Sequence, residues 1–100
     1  MTKKELVKII EDNFTDKYGN IDITHLKFDT NVDISRMKVK GGLCQDHQEV
    51  GGNLWQNRQK VKGNLYQDIQ KIDGNLFQSG QEVKGDLYQD HQEVEGKIYN

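Results

Sequence analysis

Residues 54–86 decide the fold, and they read LWQNRQKVKGN, LYQDIQKIDGN and LFQSGQEVKGD. Each of these three units is eleven residues long, begins with leucine and an aromatic residue, and has glycine in its tenth position. Units of the same length run from residue 21 to residue 97, and the fragment IYN follows. An array of this kind stacks copies of one structural unit into a continuous core and usually binds partners through its surface. The sequence therefore predicts a repeat protein.

The apolar residues within a unit indicate short strands. In residues 32–42 they occupy positions one, three, six and eight, which are Val32, Ile34, Met37 and Val39. Spacings of two, three and two place the same side of the chain inward in two short strands separated by a bend. A continuous helix also fits an eleven-residue period, but the recurring glycine would cost about 1 kcal/mol per unit relative to alanine. Each unit is therefore predicted to be strand, bend and strand.

The polar positions reveal a longer period of two units. We number the units from residue 21, so that odd units begin at residues 21, 43, 65 and 87 and even units begin at residues 32, 54 and 76. The ninth position is lysine in every even unit and in no odd unit. We therefore predict coils of 22 residues with odd and even units on opposite sides, and about three and a half coils stacked at ~4.8 Å. The alternative fold is an antiparallel β-meander with strands such as LYQDHQEV, which has the same period but leaves the two-three spacing unexplained.

Residues 1–20 lie outside the repeat and are predicted to cap it. Four apolar residues recur there at helical spacing: Leu6, Ile9, Ile10 and Phe14. Thr2 and Glu5 have the spacing of a capping box, so we predict an amphipathic helix that begins there and ends near Asn13. A turn follows, with Gly19 at positive φ. The helix is expected to cover the first coil, and the cap and the repeat then form one folding unit of mainly β class.

The geometry predicted for the repeat resembles that of a known family. The two-three spacing of inward residues, four short sides per coil and a coil of about twenty residues are similar to the right-handed quadrilateral β-helix of pentapeptide-repeat proteins. The resemblance covers residues 21–100 and implies a short right-handed β-solenoid. The chain departs from the family because its units divide into five plus six residues and lack a small residue before the central leucine or phenylalanine. We interpret it as a pentapeptide-like solenoid outside that family.

Glutamine replaces the apolar residues of positions three and six in the later units. These residues are Gln45, Gln48, Gln56, Gln59, Gln67, Gln70, Gln78, Gln81, Gln89 and Gln92. If they face inward, each side-chain amide bonds to the amides one coil above and below, which satisfies groups that are costly to bury. We favour this interpretation. The alternative is that the glutamine columns are exposed and bind a ligand.

The second position of the units carries an aromatic series that should lie outward. We expect an odd column of Cys44, Tyr66 and Tyr88, and an even column of Trp55, Phe77 and Tyr99. One interpretation is cross-strand packing that stabilises the stack, and the other is an exposed aromatic face used for binding. Trp55, Tyr66, Phe77 and Tyr88 are therefore candidate binding residues.

Charge is also sorted between the two kinds of unit. The odd units contribute Asp46, Asp68, Asp73, Asp90 and Glu95, and the even units contribute Arg36, Lys40, Arg58, Lys62 and Lys84. One lateral edge should be acidic and the opposite edge basic. The five acidic residues are candidate binding residues, and the resemblance to some pentapeptide-repeat proteins implies that such an edge imitates the phosphates of a nucleic acid. A solvated surface of mixed charge is the alternative.

The sequence offers no motif for catalysis, a cofactor or a metal site. His25, His47 and His91 share the fifth position of odd units, so the repeat itself explains their recurrence, and Ile69 interrupts the series. No nucleophile elbow, phosphate-binding loop or pair of closely spaced cysteines is present. We therefore predict a non-enzymatic protein without cofactors.

Composition bounds the compartment and the partner. The net charge of −2 gives little reason for direct nucleic-acid binding, and no apolar segment has the length that crosses a membrane. No signal peptide is recognised, and the single cysteine, Cys44, is typical of a reducing cytoplasm. Small size, repetition and a composition rich in Lys, Asn, Asp and Ile resemble small phage or prophage proteins of low-GC Gram-positive bacteria. We expect a cytoplasmic location in the bacterial host.

These features predict a protein-binding module, encoded by a phage, that inhibits a host or anti-phage defence protein. The alternatives are a nucleic-acid mimic that inhibits a nucleic-acid enzyme and a self-assembling structural protein. The last coil is expected to be covered by a second copy of the chain, because an open solenoid end exposes strand edges and core. The candidate residues of this homodimer interface are Leu87, Val94, Ile98 and Tyr99.

Overall fold

One helix precedes fifteen two-residue strands in the computed structural model, which describes residues 2–99. All paired strands are parallel, and each pairs with the strand 22 residues further along the chain, as Ile21 does with Leu43. The chain is therefore a mainly β parallel solenoid of about four coils with a 22-residue period. The predicted solenoid is confirmed, and the alternative antiparallel meander is wrong.

Each full coil contributes one strand to each of four sheets. Odd units supply the first sheet, β1 (Ile21–Asp22), β5 (Leu43–Cys44), β9 (Leu65–Tyr66) and β13 (Leu87–Tyr88), and the second sheet, β2 (Lys27–Phe28), β6 (Glu49–Val50), β10 (Lys71–Ile72) and β14 (Glu93–Val94). The third sheet holds β3 (Val32–Asp33), β7 (Leu54–Trp55), β11 (Leu76–Phe77) and β15 (Ile98–Tyr99), and the fourth holds β4 (Lys38–Val39), β8 (Lys60–Val61) and β12 (Glu82–Val83). The third and fourth sheets come from even units, and from the IYN fragment in the case of β15.

The helix α1 (Lys3–Phe14) caps the apolar end of the solenoid. Thr2 and Glu5 form the predicted capping box, and Ile10 is fully buried among the first strands. Ile9 is 40% exposed and does not join this contact, contrary to the prediction. The reason is helical geometry, since the residues three and four positions from Ile10 share its face, and Val7 is one of them.

Glutamine ladders form the core of the later coils, as predicted. Six glutamines, Gln45, Gln48, Gln56, Gln59, Gln67 and Gln70, have no exposed surface. In one ladder, Gln92 Nε2 donates to Gln70 Oε1 and Gln70 Nε2 donates to Gln48 Oε1, each at 2.9 Å. The apolar side chains between the ladders include Leu43, Leu54, Leu65 and Leu76, which are also fully buried. The interior is therefore held by hydrogen bonds as well as by apolar contact, although the buried Gln48 Nε2 and Gln56 Oε1 have no hydrogen-bond partner among the described residues.

The bend within each unit takes its fifth residue into the left-handed region of backbone conformation. Six non-glycine residues have φ between 56° and 65° there, and Gly80 has φ 67°. Such a conformation costs roughly 1–2 kcal/mol for an L-amino acid, and it is least favourable for the β-branched Ile69. The sequence shows the alternation at this position but gives no direct sign of the backbone conformation behind it. Gly19 has φ 84°, as predicted for the turn after the helix.

The glycine in the tenth position is required by close approach between coils. A Cβ at Gly52 or Gly74 would overlap the Oδ1 of Asn31 or Asn53 in the preceding coil. These asparagine oxygens accept hydrogen bonds from the backbone of the next coil, since Asn53 N donates to Asn31 Oδ1 at 2.8 Å and Asn75 N donates to Asn53 Oδ1 at 2.7 Å. The Gly-Asn pair is therefore one structural device that joins neighbouring coils at the corner.

Candidate binding surface

The parallel register fixes the outward side chains in columns along the solenoid. In the odd column, the rings of Tyr66 and Tyr88 stack at 4.9 Å. In the even column, Trp55 stacks on Phe77 at 5.3 Å and Phe77 stacks on Tyr99 at 4.8 Å. The predicted division into two aromatic columns is confirmed. Because neighbouring rings cover each other's faces, the contacts observed are cross-strand packing, and binding through the aromatic columns stays a prediction.

The aspartates in the fourth position of odd units have a structural contact on one oxygen. Asp68 N donates to Asp46 Oδ1, and Asp90 N donates to Asp68 Oδ1, both at 2.8 Å. The even side repeats this arrangement with Asn57, whose Oδ1 accepts from Ser79 N at 2.8 Å. The fourth position therefore links neighbouring coils whether its side chain is charged or neutral.

The single cysteine lies beside this acidic column. The Sγ of Cys44 is 3.1 Å from Thr24 Oγ1 and 3.7 Å from Asp46 Oδ2. Burial raises the pKa of the Cys44 thiol. The thiol therefore stays protonated at neutral pH and has little nucleophilic character.

The acidic residues of the odd side lie together with lysines. Asp73 and Glu95 share the ninth-position column, as predicted from their spacing. In the second sheet, Lys27 pairs with Glu49 at 3.1 Å, and Lys71 stands in register between Glu49 and Glu93. The odd side is therefore a mixed surface with an acidic excess.

The even side carries a denser array of one charge. We call it the basic face, and it consists of Arg36, Lys38, Lys40, Arg58, Lys60, Lys62 and Lys84, all of which are exposed. Lys38 and Lys60 are in register on the neighbouring strands β4 and β8, and Glu82 occupies the same position on the next strand, β12. Lys38 and Lys60 could not be picked out as candidate site residues from the sequence, because the residue type at the seventh position does not alternate strictly between units. The sequence signal that could have revealed them is an exposed lysine beside buried apolar residues. Lys38 lies between buried Met37 and Val39, and Lys60 precedes buried Val61.

A groove separates the helix from the first even bend and opens onto the basic face. We call it the cap groove, with a volume of about 670 Å³. Its rim carries Lys3, Lys4, Lys8, Arg36 and Lys38, and its apolar lining is Val7 and Met37. Glu11 and Asp12 also line it, and Asp12 Oδ2 is 3.0 Å from Lys8 Nζ. This groove could not be predicted from the sequence, because its two sides meet only through the packing of the helix on the solenoid.

The chain matches no protein-family model, no curated protein and no solved structure among those compared. The candidate surface therefore rests on its own geometry.

Three further features bear on the predicted metal chemistry and location. The imidazoles of His25 and His47 stack with their centroids 4.7 Å apart. Within residues 2–99, no group of three or more His, Cys, Asp or Glu side chains is placed to hold a metal ion. The helix that the structure describes in this range is not long and apolar enough to cross a membrane.

The last coil exposes apolar side chains that interior coils bury. Leu87 is 47% exposed and Ile98 is 46% exposed, whereas Leu65 and Leu76 at the equivalent positions have no exposed surface. Tyr99 is 42% exposed, and Val94 remains partly buried. The predicted interface residues thus lie together at this end, and their role in a homodimer stays a prediction.

Proposed function

We propose that the chain is a non-enzymatic protein-binding module that docks through a lateral side of the solenoid. The observation that supports this most strongly is the separation of charge between the even side, with its basic face, and the acidic excess of the odd side. Parallel register at ~4.8 Å per coil holds both sets of side chains on a stiff scaffold. Fixed charges on such a scaffold steer a complementary partner and set its register.

The biological form of this proposal is an inhibitor, encoded by a phage, of a host or anti-phage defence protein. It is supported by the small size, the repetition and the composition of the chain. A stoichiometric inhibitor needs a surface and no catalytic centre, and the lateral sides supply such a surface. The cytoplasm of a low-GC Gram-positive host is the proposed compartment.

Neutralising the lateral side that docks is expected to weaken partner capture, whereas neutralising the opposite side should leave it unchanged. The variant for the even side is Lys38→Gln/Lys60→Gln/Lys62→Gln. The matched variant for the odd side is Asp46→Asn/Asp68→Asn/Asp90→Asn, which keeps a side-chain oxygen for the backbone contacts, as Asn57 does. Each changes the net charge by three. Losing several ionic contacts should weaken binding roughly tenfold or more.

Affinity capture from a lysate of a low-GC Gram-positive bacterium, followed by reconstitution with the purified partner, measures this difference. Loss of binding in the even-side variant alone supports docking on the basic face. Loss in the odd-side variant alone, with a nucleic-acid enzyme as partner, supports the mimicry alternative. Equal binding by both variants would rule out a lateral charged side as the docking surface.

Self-association through the last coil is a second candidate function, supported by the exposure of Leu87 and Ile98. We expect the chain to have twice its 11.6 kDa mass in multi-angle light scattering. Leu87→Asp/Ile98→Asp should reduce it to a monomer, because the charges would be buried between two copies. The control is Ile69→Asp, which alters an apolar residue that is 40% exposed on the lateral surface. A monomeric wild-type chain over the whole dilution series would contradict the dimer, and growth of the mass without limit would indicate a polymer.

A further inference from the structure

The cap groove combines a cationic rim with an apolar floor, and we propose that it binds an acidic segment of the partner protein that carries one apolar side chain. The proposal rests on the protein-binding function proposed above and specifies the chemistry of its partner. It also gives the helix a role in binding, in addition to its role as the cap of the first coil.

Charge complementarity defines the first part of this partner. Five basic side chains line the cap groove against the two carboxylates of Glu11 and Asp12. Asp12 is already paired with Lys8 at 3.0 Å, so the groove keeps an excess of positive charge. Arg36 and Lys38 belong to both the groove and the basic face, so the cationic surface is continuous. A segment rich in aspartate and glutamate meets positive charge along this whole path.

The apolar floor defines the second part. Met37 is 4% exposed and packs in the core, and Val7 packs against that core from the helix. Together they form an apolar surface that the charged residues of the rim surround. Val7 is the more exposed of the two and supplies most of the apolar contact for a single leucine or isoleucine of the partner, with Met37 beside it. An inorganic anion would use the rim and leave this floor unoccupied.

The same residues favour a protein segment over a nucleic acid. Nucleic-acid affinity grows with the number of phosphates that lysine and arginine neutralise. The basic face spans three coils, or roughly 10 Å along the axis. Glu82 interrupts it in its third row, and Glu11 and Asp12 stand in the groove. A regular phosphate backbone would meet these carboxylates, whereas a protein segment can place a neutral residue opposite them.

Fluorescence anisotropy with synthetic peptides tests the proposal. The probe is a labelled peptide in which one leucine is flanked by aspartate and glutamate, and the comparison peptide has serine in place of leucine. We expect the leucine peptide to bind the full chain, the serine peptide to bind about fivefold or more weakly because it leaves the floor empty, and salt to weaken both. Duplex DNA and single-stranded RNA of equal charge should bind more weakly than the leucine peptide.

Matched charge reversals locate the site. Lys4→Glu/Lys38→Glu removes two cations of the groove, and Lys71→Glu/Lys97→Glu makes the same change in charge elsewhere. Lys38 and Lys71 occupy the same position of their units. The first variant should bind the leucine peptide at least about tenfold more weakly, and the second should stay within about threefold of the wild type. Circular dichroism establishes that both variants are folded.

Three outcomes would overturn the proposal: no binding of the leucine peptide at low salt, equal loss in both variants, or tighter binding of an oligonucleotide. These outcomes remain distinguishable from failure of the proposed function. If a captured protein binds the chain but ignores Lys4→Glu/Lys38→Glu, the module docks elsewhere and only the assignment of the groove is wrong.

Discussion

Replacing Gln70 with leucine is expected to lower the free energy of unfolding by about 2–4 kcal/mol. The side chain is fully buried, donates to Gln48 Oε1 and accepts from Gln92 Nε2, both at 2.9 Å. Leucine has a similar volume but offers no hydrogen bond, so Gln92 Nε2 loses its acceptor and Gln48 Oε1 keeps only the bond from Gln45 Nε2 at 3.1 Å. The cost therefore comes from two lost interior hydrogen bonds, and it is a large part of the free energy of about 5–15 kcal/mol that stabilises an ordinary domain. Urea unfolding followed by the fluorescence of Trp55 measures it.

Gln92→Leu is the matched control for this prediction. Gln92 occupies the same ladder in the last coil and is partly exposed. Its Nε2 donates to Gln70 Oε1 at 2.9 Å. Gln92→Leu removes one hydrogen bond of the ladder, whereas Gln70→Leu removes two, so we expect a smaller loss of about 1 kcal/mol. Equal losses in the two variants would mean that the ladder does not carry the stability assigned to it.

Replacing Gly63 with alanine is expected to lower the free energy of unfolding by about 3 kcal/mol. A Cβ there would lie 2.8 Å from the carbonyl carbon of Gly41 and 2.8 Å from the nitrogen of Gly42. Both are backbone atoms of the preceding coil, and they cannot turn aside as a side chain would. The two coils must separate locally, which weakens the hydrogen bond of 2.9 Å from Gly63 N to Gly41 O. The same urea titration measures the effect.

Gly80→Asn provides the comparison. Gly80 lies in the bend, where a Cβ would meet only Arg58 Cγ at 3.3 Å within the described chain. Its φ of 67° is one that asparagine tolerates, and other units place arginine or histidine there. We expect a change within about 1 kcal/mol. A Gly63→Ala variant as stable as Gly80→Asn would contradict the role of close approach at the corners.

The solenoid could be predicted from the sequence because its information is local and repeated. The two-three spacing of Val32, Ile34 and Met37 specifies which side chains enter the core, and alternation at the ninth position specifies the coil. The glutamine ladders also followed from a simple requirement, since a buried amide needs a partner and the next coil offers an identical one.

The rest depends on contacts that no single unit contains. The corner asparagines act on glycines 21 residues later in the chain, as Asn31 does on Gly52, and this relation becomes visible only when coils are stacked. The cap groove joins Lys4 of the helix to Lys38 of the fourth sheet. These two residues come together only because the helix packs on the first coil. The spacing of apolar residues in the helix predicted its buried face only in part, since Ile9 is exposed.

Chemical-shift mapping by NMR tests most directly whether the even side and the cap groove form the docking surface. The ¹⁵N-labelled chain is titrated with the leucine-containing acidic peptide at physiological ionic strength, ~0.15 M. We predict that the largest shifts lie at the backbone amides of Val7, Arg36, Met37 and Lys38, with smaller shifts along Arg58 and Lys60. Shifts centred on Asp46, Asp68 and Tyr66 of the odd side, or confined to the last coil around Leu87, would contradict this account.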